Sequence, residues 1–316
     1  MRLIDAAGVH AALDYVALAD RLTLMFRRGC ELPVRHHHTI ETPEGADGTL
    51  LLMPAWQVGG HFGVKMVTVF PDNAAKSLPA VMGLYLLGDA NTGAPIALID
   101  GPSLTVRRTA AASALASRYL SRADASTMLM VGAGALAPHL IAAHAATRPI
   151  KKVSIWARDP EKARKLAQSF KGAAFSAEVA MNLEAAVGQA DVISCATLSR
   201  EPLVRGAWLK PGAHLDLVGA FTPDMRESDD DAVGRARVFV DTRAGALKEG
   251  GDVVQPLKSG ILKPESVLAD LFELTRGEKQ GRVRPDEITL FKSVGTALED
   301  LAAAELAVER AAKGTT

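Results

Sequence analysis

The residues of this chain whose type and spacing could do chemistry begin with two glycines one residue apart, Gly132 and Gly134, set between an apolar run and a helix-forming one. Met128, Leu129, Met130 and Val131 lead into Gly132, Ala133, Gly134, Ala135, Leu136 and Ala137. Pro138 then opens a helical stretch, so the pattern G-x-G-x-x-A has a strand before it and a helix after it. In that setting Gly132 makes the tight turn, Gly134 lets the backbone approach a pyrophosphate, and Ala137 lets the helix pack closely on the strand. The N–H groups of the turn and the positive end of the helix then hold phosphate. The plainer alternative is a strand-to-helix turn with no ligand, and the alternation of strands and helices that follows argues against it. At the end of the next strand a carboxylate would read a free ribose 2′-hydroxyl, whereas an arginine would accept a 2′-phosphate. The residues there are Arg158, Asp159, Pro160 and Glu161. Asp before Pro with a helical continuation reads as an N-cap. That leaves Arg158 to meet the phosphate, the alternative being an ordinary solvated arginine. The expected cofactor is NADPH, with NADH bound more weakly. Three adjacent histidines, His36, His37 and His38, point to alternate faces of an extended segment. With no Cys, Asp or Glu cluster at ligand spacing beside them, no metal is expected. Cys195 closes an apolar strand and is read as a small buried hydrophobe rather than a nucleophile.

The elements that must position these residues follow from the texture of the chain. Its 316 residues are 48% hydrophobic and 23% charged, enough for a large core and, at this length, for two domains. Residues 13–28 place Leu13, Val16, Ala17 and Leu24 at helical spacing. They end in Arg27, Arg28 and Gly29, basic residues at the negative helix end with a glycine able to take a left-handed cap. Runs of β type at 49–53, 63–69, 82–87 and 95–99 are separated by Gly, Pro, Asn and Asp, as in an antiparallel sheet. An Ala-rich helix over 104–120 follows. Strands at 128–131, 152–156, 191–195, 214–218 and 237–240 then alternate with helices at 138–147, 160–170 and 183–189, the signature of a parallel sheet with crossover helices. A final helix over 296–311 is expected to return to the first domain, with Asp300 and Glu305 on its solvated face. The fold class is α/β. A Rossmann-type parallel-sheet domain, residues 121–295, is inserted into an α+β domain for substrate binding and dimerisation, formed by 1–120 and 296–316. The 36 basic and 36 acidic residues cancel, which removes the diffuse attraction a nucleic-acid or anionic-membrane binder needs. No apolar stretch approaches the roughly 18 residues of a membrane span. Cys30 and Cys195 lie too far apart to frame a disulfide scaffold, and the first residues lack an apolar signal region. A cytoplasmic protein without nucleic-acid or membrane partners is expected.

Several segments carry a family resemblance: Gly63, Val64, Lys65, Met66 and Val67 with Phe70, Pro71 and Asn73; Arg108 and Thr109 with Ser113; residues 131–134; residues 209–214; Val218, Gly219 and Ala220 with Pro223, Arg226 and Glu227; and residues 291–295. Through them nearly the whole chain resembles the ornithine cyclodeaminase/mu-crystallin family. The resemblance implies a homodimer of two-domain chains, with a small amino-acid or imino-acid ligand between the domains held through its carboxylate by basic residues. The matching positions are Arg35, Lys65 and Arg108, and Lys65 is also the catalytic candidate. A planar arginine fork takes a carboxylate bidentately, and a lysine offers a compact charge that can hydrogen-bond to a reacting centre. Arg108 stands near the start of the predicted helix, where the positive helix end disfavours a cation unless an anion visits. Lys65, on an alternating strand, would otherwise face solvent. The resemblance adds Thr197, Val218, Gly219, Phe221 and Ser293 to Gly132, Ala133, Gly134, Ala135, Leu136 and Arg158 as cofactor-binding residues.

Two departures from the family pattern decide among activities. In the cyclodeaminases an Asp acting as general base stands two positions after the glycine of the Val-Gly segment; here that position is Phe221, which cannot accept a proton. A glutamate two residues before the Met-Pro step is replaced by Leu51, ahead of Leu52, Met53 and Pro54. Asp224 is close by and reads as a turn or cap residue. Cationic anchors with a hydride donor and no carboxylate base suit reduction of a cyclic imine, which brings its own protonated nitrogen. Residues 218–227 resemble the bacterial imine reductases of the family. The expected activity is NADPH-dependent reduction of Δ1-pyrroline-2-carboxylate to L-proline and of Δ1-piperideine-2-carboxylate to L-pipecolate. The alternatives are an ammonia-releasing ornithine cyclodeaminase and a non-catalytic ligand-binding protein like mu-crystallin.

Overall fold

A computed structural model describes residues 1–313. The chain forms two compact units, one built from Met1–Thr109 together with the chain from Ala297 onward, the other from Ala110–Thr296. The first contains β1 (Arg2–Ile4), α1 (Ala6–Ala12), α2 (Tyr15–Arg28), β2 (His36–Ile40), β3 (Gly48–Trp56), β4 (His61–Val69), β5 (Val81–Asp89), β6 (Pro95–Asp100) and the start of α3 (Gly101–Leu120). The second continues with β7 (Thr127–Val131), α4 (Ala137–Thr147), β8 (Lys152–Trp156), α5 (Pro160–Ser169), β9 (Ser176–Val179), α6 (Leu183–Gln189), β10 (Val192–Cys195) and β11 (His214–Leu217). It ends with α7 (Asp230–Arg235), β12 (Arg237–Val240), α8 (Arg243–Glu249), α9 (Gly251–Ser259), β13 (Val267–Asp270), α10 (Leu271–Arg276) and β14 (Thr289–Lys292). The last helix, α11 (Ala297–Lys313), belongs to the first unit. Positions 314–316, which the sequence assigns to the first domain, lie outside the described residues.

In the first unit the strand order is β1-β6-β5-β4-β3-β2, antiparallel except for the parallel pair of β1 and β6. The helix read over 13–28 starts two residues later, because the Asp14 carboxylate accepts from the Ala17 N–H at 2.9 Å and so fixes the first turn. Gly29 ends it with φ 78° and ψ 173°, a positive φ but an extended rather than left-handed helical cap. Side-chain alternation gives the sheet two different faces. Met53, Lys65, Tyr85 and Ile99 form one rung across four strands, and all are buried. Met53, Lys65 and Tyr85 lie under α11, which packs on β3, β4 and β5 and against α1 and α2, while α1 packs on β6, the strand of Ile99. The neighbouring rungs, Leu52-Met66-Leu84 and Val64-Leu86-Leu98, point the other way and keep part of their surface in solvent.

In the second unit eight parallel strands run in the order β13-β12-β14-β11-β10-β7-β8-β9. The chain leaves β7 towards β8 and β9, then returns to β10 and β11 on the other side, which puts a switch of direction between β7 and β10. Leu129, Val131, Ile193, Leu215, Leu217 and Leu290 belong to one continuous apolar core, as a sheet covered on both faces requires. Cys195 is fully buried in it, and burial raises its thiol well above the usual range, which leaves it inert. The elements that periodicity does not reveal are short: β9, β13 and β14 have 4 residues each, and α7 and α10 have 6. Among the described residues no helix is long and apolar enough to cross a membrane.

Candidate active site

Where the strand order reverses, the ends of β7, β8 and β10 surround a cleft of about 580 Å³ lined by Gly132, Ala133, Gly134, Arg158, Lys162 and Thr197, among others. Gly132 has φ 111°, and a side chain there would come within 2.6 Å of the Ala196 carbonyl oxygen. Its N–H donates to the Trp156 carbonyl at 2.8 Å, joining the turn to β8. At Gly134 a side chain would meet nothing within 4 Å, so the wall there is bare backbone beside open space. Ala137 is fully buried, and no side chain caps the start of α4, which leaves its first N–H groups to an anion. Asp159 is the cap of α5, accepting from the Glu161 N–H at 3.0 Å. Arg158 and Lys162 give the cleft a basic rim. Backbone donors, an uncapped helix start and two cations are a donor set that fits the phosphates of a dinucleotide.

The other cofactor candidates are not among the residues that line this cleft. Ala135 and Leu136 complete the turn, with Ala135 exposed. Val218 and Gly219 follow β11, and Phe221 beyond them is 49% exposed. Ser293 follows β14; its hydroxyl is buried and has no hydrogen-bond partner. Asp224 is exposed, bonded to the Thr222 hydroxyl and 3.2 Å from Arg200, a turn contact on the surface. The three histidines form exposed β2. Among the described residues no group of three or more His, Cys, Asp or Glu is placed to hold a metal ion.

The first unit holds a cluster of buried charge. Lys65 Nζ lies 2.7 Å from Asp300 Oδ2. Arg108 donates from Nε to Asp300 Oδ1 at 2.9 Å and from Nη1 to Glu299 Oε2 at 2.7 Å. Lys65 is 3% exposed, Arg108 6%, and both carboxylates 0%, so Lys65 does not face solvent. Burial pushes the Lys65 ammonium down to about 8, against the opposing pull of Asp300. For Arg108 burial acts in the same direction, but Asp300 and Glu299 outweigh it and hold the guanidinium above its usual range. Arg35 immediately precedes β2, whose first residue, His36, pairs with Leu52, the neighbour of Met53 in β3.

The structure departs from the sequence reading at Asp300, Glu305 and Arg108. Asp300 and Glu305 are not on a solvated face. Their helix carries buried Leu298, Leu301, Ala302, Ala303 and Ala304 around them, and Glu305 pairs with His61 Nδ1 at 2.9 Å and with Arg21 at 3.4 Å. Arg108 is also not at a helix start. Since α3 begins at Gly101, Arg108 lies about two turns inside, and its anions are Glu299 and Asp300. The missed signal was a helix apolar on nearly every side, since such a helix is buried and any carboxylate within it needs a cation.

The sequence matches the ornithine cyclodeaminase/mu-crystallin family over residues 5–315. The chain belongs to that family. Within it, the chain is 40% identical over 303 residues to the Δ1-pyrroline-2-carboxylate reductase of Paracoccus denitrificans, covering 93% of this chain and 96% of that one. The structure of Thermococcus litoralis Δ1-pyrroline-2-carboxylate reductase in complex with NADH and L-proline matches with a TM-score of 0.92 and 33% identity, over 99% of this chain and 98% of that one. An archaeal alanine dehydrogenase dimer with bound NAD matches with a TM-score of 0.90 and 29% identity, over 100% and 97%. The mixed α/β architecture with its Rossmann-type parallel sheet is the family's fold.

Proposed function

We propose that this protein is an NAD(P)H-dependent oxidoreductase that reduces the C=N bond of cyclic imino acids, converting Δ1-pyrroline-2-carboxylate to L-proline and Δ1-piperideine-2-carboxylate to L-pipecolate. The reading is carried by the buried pair of Lys65 and Arg108, held in place by Asp300 and Glu299. With Nε and Nη1 of Arg108 directed at those carboxylates, its Nη2 donors, with the remaining protons of Lys65, are free to bind a substrate carboxylate. Arg35 completes the anchor. A reduced nicotinamide supplies a hydride to the imine carbon when bound. The protonated imine nitrogen keeps its proton and becomes the ring amine, so the chain need only orient the ring, and no general base is required. Phe221 in place of a base and Asp224 engaged on the surface are consistent with reduction rather than deaminating cyclisation. The named relatives support the same chemistry.

The cofactor is assigned as NADPH, with NADH weaker. Arg158 and Lys162 supply a basic rim, while Asp159 directs Oδ1 to its own helix. The cofactor set is Gly132, Ala133, Gly134, Ala135, Leu136, Arg158, Thr197, Val218, Gly219, Phe221 and Ser293. Residues 121–295 form the cofactor domain. Residues 1–120 and the returning helix form the substrate and dimerisation domain, whose uncovered apolar sheet face pairs with a second copy. The test is loss of NADPH absorbance with each imino acid, beside ammonia release from ornithine. Imine-dependent oxidation is expected; ammonia from ornithine without it would make the chain a cyclodeaminase, and silence in both a binding protein.

A further inference from the structure

Glu227 is fully buried and plays no part in the reaction outlined above. Its carboxylate accepts four hydrogen bonds. Oε1 takes the Thr197 N–H at 2.6 Å and the Thr197 hydroxyl at 2.8 Å. Oε2 takes the Gly219 N–H at 2.7 Å and the Ala220 N–H at 3.2 Å. One carboxylate therefore ties the loop after β10 to the loop after β11. The two loops are already in contact, since a side chain at Gly219 would lie 2.1 Å from the Thr197 carbonyl and 2.6 Å from Glu227 Oε1. Behind Glu227, Asp252 on α9 accepts from the N–H groups of Glu227 and Ser228 at 2.8 and 3.0 Å. The other oxygen of Asp252 lies 3.2 Å from Lys292 Nζ, itself fully buried on β14. Burial, then the neighbouring Asp252, raise Glu227 to about 7. A carboxylate without a proton is the only form that meets four donors with acceptors alone.

Thr197 also lines the cleft whose rim carries Arg158. In doubly wound sheets a dinucleotide lies across the switch point, with the adenosine ribose at the end of the second strand. Arg158 follows β8, so the nicotinamide half extends the other way, towards the ends of β10 and β11. We propose that Glu227 is a positioning residue that shapes the nicotinamide end of the cleft by locking the loops after β10 and β11 in one arrangement. The proposal rests on the dinucleotide reading above.

Glu227→Gln keeps the size of the side chain but turns one acceptor into a donor. It must then face either the Thr197 N–H or the N–H groups of Gly219 and Ala220, donor against donor. The measurement is direct binding of NADPH and NADH, and of their adenine halves 2′,5′-ADP and ADP, to wild type and variant. Both dinucleotides should bind E227Q at least tenfold more weakly, with the adenine halves within twofold of wild type. Equal losses for dinucleotides and adenine halves would reduce Glu227 to a general support of the fold and overturn the proposal, as would unchanged binding of all four. Thr197→Val, which removes one of the four donors to Glu227, should show the same selective loss at two- to fivefold; wild-type dinucleotide affinity there would overturn the proposal even if E227Q does not fold. A wild-type protein that binds neither dinucleotide nor adenine half would overturn the dinucleotide reading itself and the proposal with it.

Discussion

At the scale of single residues, Lys65 and Arg108 reach the same carboxylate, Asp300, so their contributions are coupled and are told apart by different readouts, a Michaelis constant for Arg108 and a pH profile for Lys65. Arg108→Lys keeps a cation near Glu299 and Asp300 while removing the planar fork. The Michaelis constant for the imino acid should rise at least tenfold, and that for NADPH should stay within twofold; equal rises would remove Arg108 from the carboxylate anchor. Arg108→Ala is the poorer probe, because stripping one partner from a buried ion pair costs about 3–5 kcal/mol of stability. Lys65 gives a pH signature. With its ammonium held near 8, the cation is present below that pH and lost above it, so affinity for the imino acid should fall as pH rises through about 8. In Lys65→Met this alkaline limb should vanish beside a uniformly weaker affinity, whereas a limb retained in that variant would assign it to the substrate. At the cofactor, Arg158→Ala should cut the preference for NADPH over NADH roughly tenfold, as expected for a lost charged contact to phosphate. An unchanged preference would leave Asp159 as the ribose reader after all.

At the scale of elements, α11 is both the cover of the sheet and the carrier of the counter-charges. Leu301 is fully buried on it, one position from Asp300. Leu301→Ala should lower stability by about 2–5 kcal/mol, the usual cost of such a truncation in a core. The same change should weaken imino-acid binding more than binding of 2′,5′-ADP; a change in stability alone would mean that the charge cluster does not depend on how α11 sits. The same helix shows what could and could not be read from the chain. The turn at Gly132 and the cap at Asp159 were legible because strand, turn, cap and helix are consecutive, so the physics that shapes them is local. The pairing of Lys65 with Asp300 joins opposite ends of the chain and leaves no local trace. Its one sign was the alanine and leucine surrounding Glu299 and Asp300, which marked a buried helix where a solvated face was expected. Helix α3 begins three residues before the predicted boundary, enough to exchange a helix-end argument at Arg108 for a buried ion pair. Strands β13 and β14, with 4 residues each, are too short for alternation to show, yet β14 stands between β11 and β12 in the middle of the parallel sheet.

At the scale of the whole molecule, the six-stranded sheet has one face too many. The rung of Met53, Lys65, Tyr85 and Ile99 is covered by α11 and α1, but the rungs Leu52-Met66-Leu84 and Val64-Leu86-Leu98 are apolar and keep part of their surface in solvent. On that face Leu84 is 36% and Met82 37% exposed. A contiguous apolar face of this kind marks an association surface rather than a solvated one. On the homodimer reading a second copy would cover it through a two-fold contact, in which the same patch serves both partners. Sedimentation should therefore give twice the mass of the chain. Leu84→Arg sets a charge at the middle of the patch, where dimerisation would bury it without a partner, so this variant should sediment as a single chain. A wild-type protein of single-chain mass, or a variant that still pairs, would show that this face is not the interface. Because Lys65 and Met66 are successive residues of one strand facing opposite ways, loss of the partner should loosen the strand that carries the substrate anchor. The single-chain variant should accordingly lose affinity for the imino acid while binding 2′,5′-ADP as the wild type does, since the glycine turn and Arg158 belong to the other compact unit.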